Sequence, residues 1–142
     1  MAQTRLVFDE KERVADWVAK RVGHFCTWDG CYAMGAEKDG ELVSGIVWEG
    51  HNGHNVSSHI AVSKPTKLFL ELMDHAARYT FETCGLQRLT GLVEEDNVKA
   101  LKLDMHIGFK VEAVMEKAGS SGQNLLVLVL WPENYFRSYK HG

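Results

Sequence analysis

EEDNVKALKLDMHIGFKVEAV, residues 94–114, is the stretch from which the rest of the chain can be read. Asp96-Asn97 offers side-chain oxygens that cap a helix, Ala100, Leu101 and Leu103 give that helix an apolar side, and Gly108 ends it just before Phe109. A strand is expected on either side, a loosely alternating one over residues 87–94 and another from Phe109 to about Lys117. Gly119-Ser120-Ser121-Gly122 then turns the chain into Leu125 to Trp131, whose near-continuous apolar run predicts a strand covered on both faces.

Upstream, Leu68, Leu72, Ala76 and Tyr79 step along one face of a long helix that Pro65 opens and Gly85 closes in a left-handed conformation. Before it, Asp39-Gly40 joins a strand over residues 31–38 to a returning one that carries Leu42, Ile46 and Trp48. Asn52-Gly53 is expected at the centre of a second tight turn, both residues at positive φ, leading into a fourth strand from about Asn55 to Val62. Near the amino end, Asp9 with Glu12 has the spacing of a capping box, Val14, Trp17, Val18 and Val22 recur at helical spacing, and Gly23 stops the helix. A short strand at Leu6–Phe8 precedes it. The order is β, α, β, β, β, α, β, α, β, β, an α+β chain with a three-layer arrangement.

At 142 residues, with 45% of them hydrophobic, the chain builds one domain, 1–142. A net charge of −3 argues against tracking of nucleic acid, and no apolar run approaches the length that crosses a bilayer, so a cytoplasmic, soluble protein is expected. Cys26, Cys31 and Cys84 cannot all pair within one chain and read as free thiols.

This element order, together with residues 94–114, resembles the Gcn5-related N-acetyltransferase (GNAT) superfamily, in which an acidic residue and Asn open a helix ending in Leu-Gly-Phe. GLQRLTGLV, residues 85–93, is similar to that family's fifth strand, and HNVSSHIAVSKPTK, residues 54–67, to its fourth strand and the following loop. The resemblance implies a mixed, mostly antiparallel central sheet flanked by helices, with strands 4 and 5 splayed to admit acetyl-CoA as cosubstrate. It places Ile60, Ala61, Val62, Lys64, Thr66, Lys67, Leu68, Asn97 and Ala100 along the cofactor. It also makes His59 or Glu49 the general base that takes a proton from an amine. Asp104 falls where many members carry the tyrosine that protonates the departing thiolate; an aspartate near its ordinary pKa of ~4 is ionised at neutral pH, so either burial raises it, His106 or a water gives the proton, or the usual reaction is not catalysed. The phosphate-binding loop of the family is rich in glycine. Here Ser63-Lys64-Pro65-Thr66-Lys67 has none and offers two cations and a hydroxyl instead.

The expectation is an N-acetyltransferase acting on a primary amine of a small molecule or protein. The alternatives are an inactive binding or assembly module of the same fold, motivated by the missing glycines and by Asp104, and a transferase acting on a DNA base amine. His51 and His54 read as residues flanking a turn rather than metal ligands, and no metal is expected. Trp131 and the aromatic tail that follows it read as a cover over the domain's own core, with pairing into a homodimer as the other reading.

Overall fold

The computed structural model describes residues 2–22, 30–64 and 66–135. The expectations placed on Gly23, Cys26, Pro65 and the tail beyond Tyr135 lie outside the described residues. In chain order the elements are β1 Thr4–Val7, α1 Lys11–Val22, β2 Tyr32–Lys38, β3 Glu41–Glu49, β4 Asn55–Val62, α2 Lys67–Arg78, β5 Arg88–Glu94, α3 Val98–Ile107, β6 Lys110–Met115 and β7 Leu125–Leu130. A π-helical turn, Tyr79–Thr83, extends α2, and a 3-10 turn, Pro132–Asn134, follows β7. One seven-stranded sheet runs β1-β2-β3-β4-β5-β7-β6, antiparallel at every pairing except β4 with β5.

The two faces of the sheet are covered differently. On one, Val14, Ala15 and Val18 of α1 pack against Val7, Ala33, Val47 and Ala61. Here Gly35 and Gly45 stand opposite each other across β2 and β3. A Cβ on Gly45 would lie 2.9 Å from Val18 Cγ2, and one on Gly35 2.9 Å from Val14 Cγ2, so the bare backbone lets α1 sit low on the sheet. Because valine is stiff at χ1, Gly45→Ala is expected to cost about 1–3 kcal/mol as over-packing. Thermal melts of the two proteins check this, and an unchanged midpoint would mean that the helix is not held against the strand.

On the other face Phe69, Leu72, Met73 and Ala76 of α2 and Ile107 of α3 close over Met34, Ile46, Trp48, Val56, Leu89, Leu128 and Leu130. Phe69 and Met73 therefore belong to the face that Leu68 and Tyr79 were expected to mark, and Leu68 lies at its half-buried margin. The Thr80 hydroxyl donates to Ala76 O at 2.8 Å and accepts from Trp48 Nε1 at 2.8 Å, which buries the indole nitrogen with its hydrogen bond made.

Several local expectations change. β1 covers Thr4–Val7, not Leu6–Phe8, and α1 begins at Lys11 with Glu10 O accepting from Val14 N, so the Asp9–Glu12 box does not define its start. Asp39 and Gly40 both adopt positive φ, as their hairpin requires. At the next connection Gly53 does so and Asn52 does not. The Asn52 side chain instead accepts from the N–H groups of His54 and Asn55, and the loop spans residues 50–54. β7 is buried over Leu128, Val129 and Leu130 but only half covered from Leu125 to Val127. That difference bears directly on the site.

Candidate active site

The β4–β5 ladder is short. Register runs Asn55–Arg88, Val56–Leu89, Ser57–Thr90 and Ser58–Gly91 and stops there, although β4 continues to Val62 and β5 to Glu94. Beyond Ser58, β4 stays paired with β3 through Val62, and beyond Gly91, β5 stays paired with β7 through Glu94. Two strands with other obligations on their far sides thus part at an apex formed by Ser58 and Gly91. A polar staple lies just below it. Thr90 Oγ1 donates to Asn55 Oδ1 at 2.6 Å and accepts from Arg88 Nε at 3.1 Å, while the Arg88 guanidinium grips Glu112 through two bonds of 2.6 Å.

Backbone direction alternates along an antiparallel strand. Ser63 N donates to Val43 O, so the N–H and C=O of Ala61 and His59 also face β3, and those of Ile60 and Val62 face the gap. On the opposite wall Glu95 N donates to Asn124 O, which by the same alternation turns Leu92 backbone into the gap. A peptide-like arm laid between the strands would meet donors and acceptors at strand spacing.

Side chains alternate as well. His59 shares the α1 face with Ala61 and Val47, and its Nε2 lies 3.4 Å from Oε1 of Glu49, the last residue of β3. The structure brings together the two residues considered separately as bases. On the other face α3 starts at Asn97, whose Oδ1 accepts from Ala100 N at 3.3 Å. Asn97 is exposed and Ala100 half-buried.

Asp104 is seven positions beyond that cap, about 10 Å along the helix and equal to about three residues of strand. The helix packs on the α2 side of the sheet through Ile107. Asp104 is 8% exposed, and burial raises its pKa from 3.8 to about 7. Of the alternatives open for Asp104, this favours the one in which loss of hydration penalises the charged form. His59 lies on the α1 face of the sheet, and α3, which carries Asp104, packs on the opposite one.

Lys64, Thr66 and Lys67 are exposed where the chain leaves β4 and enters α2, whose first turn holds no acidic residue. Thr66 is the cap residue, with φ −133° and ψ 173°, and its side chain makes no capping hydrogen bond. Cys84 is exposed and Cys31 buried. His51 and His54 are exposed, and among the described residues no three His, Cys, Asp or Glu side chains converge as metal ligands. A concavity of about 670 Å³ lies elsewhere, between α1 and the β2–β3 turn, where the Arg21 guanidinium sits 3.7 Å above the Trp17 ring. It is remote from the apex, and the chemistry of its walls is charge and one aromatic ring.

From the sequence Leu92 marks, with Val62, where strands 4 and 5 are expected to diverge, but it is not among the residues given a role in the site. It lies in the middle of β5 yet is 47% exposed. Its signal, an apolar residue at an alternating position of GLVEE, is indistinguishable from a core leucine until the register with β4 is known.

No family model and no curated protein sequence matches the chain. Solved structures do. Spermidine N-acetyltransferase from Vibrio cholerae, in a dodecameric structure, superimposes with a TM-score of 0.75 at 14% identity, covering 96% of this chain and 98% of that one. The acetyltransferase YncA from Salmonella typhimurium, solved with acetyl-CoA, gives 0.68 at 16% identity over 95% and 97%. At such identity the likeness establishes the fold, the GNAT fold.

Proposed function

From that fold we propose that the chain is an acetyl-CoA-dependent N-acetyltransferase acting on a primary amine. The observation that carries the reading is the end of the β4–β5 ladder at Ser58–Gly91, with backbone groups of Ile60, Val62 and Leu92 turned into the gap beyond it. Acetyl-CoA supplies an activated acyl group as its thioester. Ile60 and Val62 hold the pantetheine arm through their free backbone groups in the manner of an added strand, while Ala61 between them is bonded to β3 and packs under α1, and an N–H from this segment stabilises the oxyanion at the reacting carbonyl. Lys64, Thr66 and Lys67 meet the phosphates at the start of α2, with Leu68 beneath them. Asn97 and Ala100 border the opposite wall. The absence of glycine from residues 63–67 shifts phosphate binding from a nest of amides toward side-chain charge.

The two faces divide the proton chemistry. The imidazole of His59, with Glu49 beside it at 3.4 Å, takes a proton from the acceptor amine as the C–N bond forms. Asp104, protonated in a sizeable fraction at neutral pH, gives its proton to the sulfur as the C–S bond breaks. The inactive-module reading rested partly on an ionised Asp104, and burial of that carboxyl weakens it.

Isothermal titration with acetyl-CoA tests the cofactor, and no heat at millimolar ligand sinks the reading. His59→Ala is expected to lower kcat/KM about 10²–10⁴-fold while leaving acetyl-CoA affinity within about twofold. Activity equal to the parent protein's would remove His59 from the mechanism.

A further inference from the structure

Gly91 is the last residue of β5 to pair with β4, and the fold does not require a glycine there. A glycine inside a strand is ordinarily explained by a positive φ or by a neighbour too close for a side chain. Gly35 and Gly45 have the second reason, since a Cβ on either would lie 2.9 Å from a valine of α1. Gly91 has neither. Its φ is not positive, and a Cβ there would meet Phe109 Cε1 at 3.6 Å and Leu128 Cβ at 4.0 Å, ordinary contact distances, with nothing nearer among the described residues. Strand stability alone would favour a methyl group at this position.

The space beside Gly91 is also open. Ser58, Leu89, Phe109 and Leu128 around it are buried, whereas Gly91 itself is only half-buried. Solvent therefore reaches the bare α-carbon at the end of the ladder, where the fork begins. Leu89 and Val93, two residues to either side, belong to the core under α2, so a side chain at 91 would point to that same face. Packed on it through Ile107 is α3, which carries Asp104. Because Asp104 is the acid for the departing sulfur, the thioester is drawn toward the face that Gly91 shares.

Resting on the N-acetyltransferase reading above, we propose that the methyl-sized space over Gly91 receives the end of the donor's acyl chain, so that the site takes propionyl-CoA as well as acetyl-CoA, with Gly91 setting the limit. The step is the same for both donors. The amine nitrogen bonds the acyl carbon and the C–S bond breaks, the amine's proton passes to His59, and the sulfur takes one from Asp104, leaving the amide and free CoA.

Calorimetric binding of the two thioesters tests this with no acceptor present. The parent protein is expected to bind acetyl-CoA and propionyl-CoA within about threefold of each other. Gly91→Ala, whose methyl group takes the space, is expected to keep acetyl-CoA affinity within about threefold and to weaken propionyl-CoA about 10-fold or more. Its melting temperature should equal or exceed the parent's, because the added Cβ clears its neighbours. In the parent complex the terminal methyl of propionyl-CoA should show nuclear Overhauser effects to the Phe109 ring, a readout that needs no variant. Rejection of propionyl-CoA by the parent, equal weakening of both thioesters in Gly91→Ala, no weakening of either, or a propionyl methyl without contact to Phe109 each overturns the proposal and leaves the acetyltransferase reading in place. Binding of neither thioester by the parent removes that reading, and this inference with it.

Discussion

Gly108→Ala is expected to lower the melting temperature by more than about 10 °C, the largest effect of any single methyl group added to this fold. Gly108 ends α3 with φ 124°, a region that disfavours a side chain, and its N–H closes the helix onto Asp104 O and Met105 O. A Cβ there would lie 2.0 Å from the carbonyl oxygen of Asn134, in the 3-10 turn that follows β7. Backbone cannot yield as a side-chain tip does, so either the end of α3 unwinds or residues 132–134 leave their seat. The second outcome also breaks the hydrogen bond from the Tyr135 hydroxyl to Asp74 of α2. Gly50→Ala provides the comparison: φ is 66° and nothing lies within 4 Å of a Cβ there, so its cost is the backbone term alone, about 1 kcal/mol. Calorimetry of both variants separates the two contributions, and equal midpoints would refute the contact between α3 and the chain after β7.

Asp104→Asn should move stability and activity in opposite directions. The folded pKa of about 7 stands above the unfolded value of 3.8, so the native state keeps a proton that the unfolded chain releases. Stability supplied by the neutral acid is fully present below about pH 4 and is lost as pH rises through about 7. Asparagine stays neutral throughout. At about pH 8 the variant should gain stability, up to about 4 kcal/mol, from a shift of about three units at 1.4 kcal/mol each. Over the same range its chemical denaturation midpoint should lose the downward slope of the parent protein. Turnover of acetyl-CoA should fall about 10²-fold, because asparagine has no acidic proton to give to sulfur. A variant less stable than the parent at pH 8 would mean that Asp104 is better solvated than its burial indicates. Full activity would assign the proton to another donor.

The two variants also mark how far the sequence could be read. Gly108 was legible as a helix stop, but the oxygen it must accommodate belongs to a residue 26 positions further on, and no local pattern announces it. Asp39-Gly40 was read correctly because a two-residue hairpin leaves few choices of φ. Asn52-Gly53 was not, since Asn can satisfy a turn with its side chain as well as with its backbone. Asn97 needed only its own helix to be recognised as a cap. For Asp104 the sequence left burial, and with it the charge, open, because a pKa follows burial and burial follows packing. His59 and Glu49 were named as alternatives because strand register, which brings them to 3.4 Å, is a property of the assembled sheet. The exposure of Leu92 stayed hidden for the same reason.

The four-pair ladder from Asn55–Arg88 to Ser58–Gly91 also makes the sheet mechanically unequal along its width. β1 to β4 are laced by consecutive antiparallel hairpins or neighbours, and β5, β7 and β6 form a second plate with its own lacing. Within the sheet one short seam joins the plates, flanked by the bonds among Asn55, Thr90, Arg88 and Glu112, while the core under α2 spans both. The fork thus opens beside ladders that are complete in themselves, since each wall keeps its own partner on the far side. On the proposed reading, an arm would enter the fork with no strand having to unzip.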